Sequence, residues 1–190
     1  MTCHLISNNK MSPNVLQRTK CTVIGPMQFA DGTGIRNYFK DAFGKRNITV
    51  FDHYNNPFLF EHIKDDKETG LKIKKLVEEE KWEEIAEHKK IRIYDLALID
   101  KSDFIVVNYN PHIQTCGTWE EFFWANRMKK PIFFINEIEF KLTPVWVFWT
   151  IPVKYVYKNK ESVLQTIADI DDGVLPIDSD RWKLLKPELR

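Results

Sequence analysis

"DFIVVNYNPHIQTCGTWEEFFWANRMKKPIFFIN", residues 103–136, decides the fold. The runs Phe104–Val107 and Ile132–Ile135 are apolar at every position, as in strands covered on both faces; a strand with one wet face would alternate. Between them, after a loop of small polar residues, apolar side chains recur at helical spacing from about Thr118 onward. Strand, helix and strand in succession make a parallel βαβ unit. The same alternation extends outward. "KCTVIGPM" (20–27) is a strand stopped by Gly25-Pro26, and Ile35, Phe39, Ala42 and Phe43 then repeat at helical spacing. "NITVFDHY" (47–54) and "VKYVYK" (153–158) supply two further strands, and "KESVLQTIADIDDG" (160–173) a closing helix ended by Gly173. These elements predict an α/β fold, a three-layer sandwich with a mostly parallel five-stranded sheet of flavodoxin/Rossmann-like order. In such sheets ligands bind beyond the carboxyl ends of the strands.

The 190 residues suit one domain. Residues 1–18 lack periodicity and read as a loose N-terminal arm; 19–190 form the domain, with a charged helical segment at about 62–92, and the stretch 68–102 is expected to fold as two amphipathic helices, the first highly charged and facing solvent. With 28 basic and 27 acidic residues, the formal charge of +1 gives no broad grip on a nucleic-acid polymer or an anionic membrane. Cys3, Cys21 and Cys116 are an odd number without a CxxC pair, which argues against a disulfide framework or a zinc site and suits the cytoplasm. The start "MTCHLISNNK" lacks the apolar stretch of a signal peptide. "VWVFWTIPV" (145–153), broken by Thr150 and Pro152, is far shorter than the roughly 20 residues that span a bilayer. It is expected in a core or at a subunit contact, and the tail "RWKLLKPELR" (181–190) is expected to dock on a neighbour.

Chemistry is therefore sought at the strand ends. After the first strand, Gly32 and Gly34 precede a helix whose amides suit a phosphate, with Arg36 in the first turn, or else form a flexible turn capped by Thr33. The loop has neither the third glycine of a dinucleotide fingerprint nor a GK[ST] sequence. Asp52 after the second strand and Asn108 after the third either contact a ligand or turn the chain. In the 118–128 helix Glu120 projects with Phe123, Trp124 and Arg127, whereas Glu121 shares a stripe with Trp124, Ala125 and Met128. Glu121 thus points toward an apolar surface, where the helix dipole favours its ionisation and burial opposes it, a setting for a nucleophile. Asp95 lies on a helical stripe with Ile91, Leu98 and Ile99 and needs a partner or a task there. Asp100 and Asp103 read as caps of the helix-to-strand turn.

Taken together, Gly25-Pro26 closing the first strand, D-L-x-x-I-x-x-x-D from Asp95 to Asp103, and G-T-x-x-E-x-x-x-A from Gly117 to Ala125 before "KKPIFF" resemble the nucleoside 2-deoxyribosyltransferase family over residues 20–136. The resemblance implies that Glu121 is the nucleophile, attacking the anomeric carbon of 2-deoxyribose to form a glycosyl ester, and that Asp95 orients and protonates the base. A second base, or water, then takes the sugar with net retention. It further implies that Gly25, Pro26, Met27, Gln28, Asp52, Asn108, Thr115, Gly117 and Thr118 line the substrate site, that Arg36 meets a phosphate, and that no metal or cofactor is needed. The implied partners are a small nucleoside or nucleotide, a free nucleobase and further copies of the chain, whose contact the 145–152 segment would supply. Thr22 stands where the family commonly has a tyrosine, and Phe123 replaces a glycine, which would crowd a close helix contact. Thr115 replaces an aspartate and resembles instead the deoxynucleoside monophosphate N-hydrolases, which hold a 5′-phosphate with hydroxyls. "CGTWEEF" (116–122) also looks like a segment of the cytokinin-activating phosphoribohydrolases. Hydrolysis, and a nucleotide-binding sensor without turnover, are the alternatives that remain.

Overall fold

The computed structural model of the chain describes residues 14–26, 33–53, 67–176 and 181–182. Five parallel strands, β1 (Lys20–Ile24), β2 (Thr49–Phe51), β3 (Phe104–Asn108), β4 (Ile132–Ile135) and β5 (Val156–Tyr157), lie in the order β2-β1-β3-β4-β5. This is the flavodoxin-like order expected from the sequence, with the strand order reversing between β1 and β3. In register, Ile24 of β1 stands beside Val107 of β3, and Asn108 beside Ile135 of β4. Val23, Ile24, Phe104–Val107 and Ile132–Ile135 are all buried, which is the reason those runs do not alternate. The fifth strand is only two residues long, because Val153–Tyr155, expected to begin it, forms a 3-10 turn after Pro152.

Helices α1 (Thr33–Gly44) and α7 (Lys160–Asp171) frame one side of the core. Phe39 and Phe43 of α1 touch at 5.2 Å, and Phe43 meets Phe104 of β3 at 5.8 Å. Gly34 lies inside α1 rather than before it. The C-terminus of α7 closes as expected at Gly173, whose φ of 72° suits glycine, with Gly173 N–H donating to the Ile170 carbonyl and Val174 N–H to that of Asp169.

The charged segment forms three described helices rather than two: α2 (Lys67–Glu78), α3 (Trp82–Glu87) and α4 (Lys89–Lys101). Glu80, with φ of 55°, ends the first, and α4 carries Ile91, Leu98 and Ile99 into the core. α5 (Cys116–Arg127) packs beside it; α6 (Val145–Thr150) is the short helix made by the aromatic segment. Asp100 and Asp103 serve as ties more than as caps: Asp100 accepts from Trp124 Nε1 at 2.7 Å, joining α4 to α5, and Asp103 accepts from the Lys20 N–H at 2.7 Å, joining the turn to β1.

The described residues nearest each end depart from expectation. Residues 14–18 are not a loose arm, since Leu16 is fully buried and Asp171 accepts its N–H at 2.9 Å while also pairing with Arg46. Trp182, in the tail expected to dock on a neighbour, is enclosed in this chain's own core, 5.9 Å from Phe104 and 6.1 Å from Phe133. A large apolar ring gains more from filling the core beside two aromatic rings than from staying in water.

Candidate active site

The first turn of α5 fixes the site. The helix starts at Cys116, two residues before the expected Thr118, and turns Thr118, Glu121, Phe122 and Ala125 inward at i, i+3, i+4 and i+7. Glu121 is 5% exposed, as its position on an inward stripe requires. Its apolar neighbours on that stripe are Phe122 and Ala125; Trp124 and Met128, expected to share it, face outward. Phe123, expected to crowd a helix contact, is also outward and 46% exposed.

Arg92 of α4 meets this turn from the side. Its Nη1 donates to Glu121 Oε1 at 2.7 Å, its Nε to Glu120 Oε2 at 2.6 Å, and its Nη2 to the Gly117 carbonyl at 3.0 Å. Asp95, buried one turn further along α4, places Oδ2 3.7 Å from the same Nη1. One guanidinium therefore gathers Asp95, Glu121 and Gly117 in a rigid fork. Glu120 is exposed on the outer prong, so the adjacent glutamates divide as expected, although they share a cation. From the end of β2, His53 brings Nε2 to 3.5 Å from Glu121 Oε1; the imidazole is completely buried. Among the described residues Glu121 Oε2 accepts no hydrogen bond, and it is not one of the polar atoms sealed from solvent. The carboxylate is thus anchored by one oxygen and open at the other.

Burial alone would raise the Glu121 pKa, but His53 and Arg92 outweigh it and hold the carboxyl below its ordinary range. Burial likewise opposes charge on His53 and on Arg92, and the carboxylates reverse both outcomes: Glu121 and Asp95 raise His53 against burial and Arg36, and Glu121 and Glu120 raise Arg92. A raised histidine stabilises the fold fully below its ordinary value of 6.5 and ceases to do so as pH climbs through its folded value. A depressed glutamate stabilises above its ordinary 4.5 and ceases as pH falls through its folded value. The pair is therefore worth most between pH 4.5 and 6.5. Thermal melts across pH should show Tm falling on the alkaline side of that window, with a shallower fall in His53→Asn; parallel curves would contradict the coupling.

The remaining expected residues divide by place. Gly25, buried Pro26 and Asn108 meet where β1 and β3 end. A Cβ on Gly25 would stand 2.9 Å from the Asn108 carbonyl oxygen, so glycine there permits a close backbone approach. Thr118 is buried one turn before Glu121; Gly117 contributes its carbonyl to Arg92. Thr115, the N-cap of α5, has its hydroxyl enclosed and without a hydrogen bond among the described residues. Asp52 is half-buried next to His53, and Arg36 is buried in the first turn of α1. Neither Asn108 nor Thr115 is bonded to Glu121 among the described residues. Met27 and Gln28 lie outside the described residues. Thr22 shares its hydroxyl with Ser102 at 2.6 Å and approaches the Leu98 carbonyl at 3.3 Å, and among the described residues Arg92 and His53 are the partners of Glu121. Among the described residues no cluster of three or more His, Cys, Asp or Glu side chains is arranged to hold a metal ion, and no helix is long and apolar enough to cross a membrane.

Two members of the site, His53 and Arg92, are absent from the sequence expectations. Arg92 was accessible to the helical rule that singled out Asp95, being three residues before it. His53 follows Asp52 directly at a strand end, where alternation sends the two side chains to opposite sides. No protein-family model matches the chain, and no curated protein matches it.

Proposed function

We propose that the chain is an N-glycosidic bond enzyme that transfers 2-deoxyribose between nucleobases through a glycosyl ester on Glu121. The observation that carries this reading is the buried carboxylate held by Arg92 through Oε1 while Oε2 stays open. An ionised carboxylate fixed in orientation is suited to attack an anomeric carbon as the base departs. Asp95, gathered by the same arginine, orients the base and relays a proton to it; a second base then attacks the anomeric carbon from the vacated face, and Glu121 leaves as the carboxylate. The double inversion yields net retention, and the scheme draws on no cofactor. Incubation with a radiolabelled free base and a series of 2′-deoxynucleosides tests it: label should enter the nucleoside pool, and the absence of both exchange and base release would refute the reading.

Hydrolysis of a 5′-monophosphate is the second reading, favoured by the enclosed Thr115 hydroxyl at the amino end of α5, where a phosphate would meet free amides. Release of base without exchange, restricted to 5′-monophosphates, would select it; binding without turnover would select a sensor. The same proposal extends to setting and assembly. The free thiols Cys21 and Cys116 suit the cytoplasm. The exposed rings of Trp146 and Trp149, 64% and 70% accessible, suit contact between copies of the chain. Light scattering at micromolar concentration should give a multiple of 22.6 kDa, and Trp149→Lys should reduce it; a monomer at all concentrations would contradict the assembly.

A further inference from the structure

We infer that His53 is a positioning residue that ties its own proton to the charge on Glu121, an inference that rests on reading Glu121 as the nucleophile. Its imidazole is buried directly after β2 with Nε2 3.5 Å from Glu121 Oε1, and neither ring nitrogen has a hydrogen bond among the described residues. Charged groups act on it from three helices: Glu121 from α5, Asp95 from α4 and Arg36 from α1, while Arg92 of α4 holds the same Glu121 oxygen. Groups that flank a scissile glycosidic bond in a retaining enzyme stand about 5 Å apart. At 3.5 Å no sugar-base bond fits between His53 and Glu121. His53 therefore stands on the nucleophile's own side and acts through the carboxylate, leaving the departing base to Asp95.

The consequence is a proton that follows the covalent chemistry. Attack by Oε2 forms the bond to the anomeric carbon; the carbon-nitrogen bond breaks with its electron pair on the base, which takes a solvent proton relayed by Asp95, so that the aspartate ends ionised as it began. Esterification also removes the negative charge beside His53. Among the described residues the imidazole is then opposed by burial and by Arg36 and favoured by Asp95, and its proton passes to solvent. When an acceptor base attacks, the carbon-oxygen bond breaks with its electron pair returning to Glu121, the acceptor's proton passes through Asp95 to solvent, and His53 takes up a proton from solvent.

The uncharged state of Glu121 can be reached without substrate, which separates this inference from the glycosyl reading. In the full chain the His53 ring signals, assigned by their loss in His53→Asn, are followed by NMR across pH in wild type, Glu121→Gln and Glu120→Gln. The wild-type midpoint should lie above the ordinary 6.5, fall below it in Glu121→Gln, and stay in place in Glu120→Gln. Glu121→Asp, which keeps the charge but draws it back by one methylene, should give a partial fall and serves if the glutamine variant does not fold. Midpoints that coincide in wild type and in the Glu121 variants would overturn the inference whatever base-release assays report.

Discussion

Glu121→Gln is expected to lower base exchange by roughly three orders of magnitude or more, whereas Glu120→Gln should lower it by less than about tenfold. The two side chains are neighbours in sequence and bind the same arginine, so the contrast isolates the chemistry from the charge. Glutamine keeps the size of Glu121 and an oxygen for Arg92, but it has no anionic oxygen with which to form an ester. Glu120 is exposed, and its pair with Arg92 is of the solvent-screened kind that contributes little. Steady-state rates with a deoxynucleoside donor and a labelled acceptor base measure both variants. Equal losses would remove Glu121 from the nucleophile's role and leave it as a structural ion-pair partner.

The second large effect concerns stability. Trp182→Ala should cost about 3–5 kcal/mol, read as a lower urea midpoint at unchanged slope. The ring is 1% exposed and lies among Phe104 and Phe133, the side chains through which β3 and β4 meet the outer layer. Alanine would leave a cavity that those rigid rings fill only in part. Trp182→Phe should cost far less, because the indole Nε1–H is enclosed without a hydrogen bond among the described residues, and phenylalanine removes that unmet donor. A loss below about 1 kcal/mol for the alanine variant would show that the ring does not fill the core in solution.

The architecture was legible because its determinants are local. Runs such as Phe104–Val107 have no solvent face to mark, so their composition reports burial on both sides and with it the parallel sheet. Leu16 and Trp182 were not legible for the opposite reason. Each sits in a short stretch without helical or strand periodicity, Leu16 beside Val15 and Trp182 shortly before Leu184, and its burial depends on partners far away in sequence, Asp171 for one and the aromatic core for the other. Periodicity placed Asp95 and Glu121 on inward faces, and the roles expected of them came from the family resemblance. What periodicity does not encode is the meeting of α4, α5 and the end of β2. Arg92 and His53 act across that meeting, and only the packed arrangement gives the fork at 2.7 Å and the imidazole at 3.5 Å.

The pairing of Glu121 with Arg92 also bears on how the carboxylate would react. A guanidinium on both oxygens would lock an anion in place and blunt it. Held through Oε1 alone, the group keeps its charge in a buried setting and presents a second oxygen. The most direct measurement is the intact mass of the protein quenched in acid during turnover of a 2′-deoxynucleoside, followed by peptide mapping. A mass higher by one deoxyribosyl group, mapped to Glu121 and missing from Glu121→Gln, is the predicted result. An unmodified protein under conditions where base is being released, or a sugar attached at another residue, would contradict it.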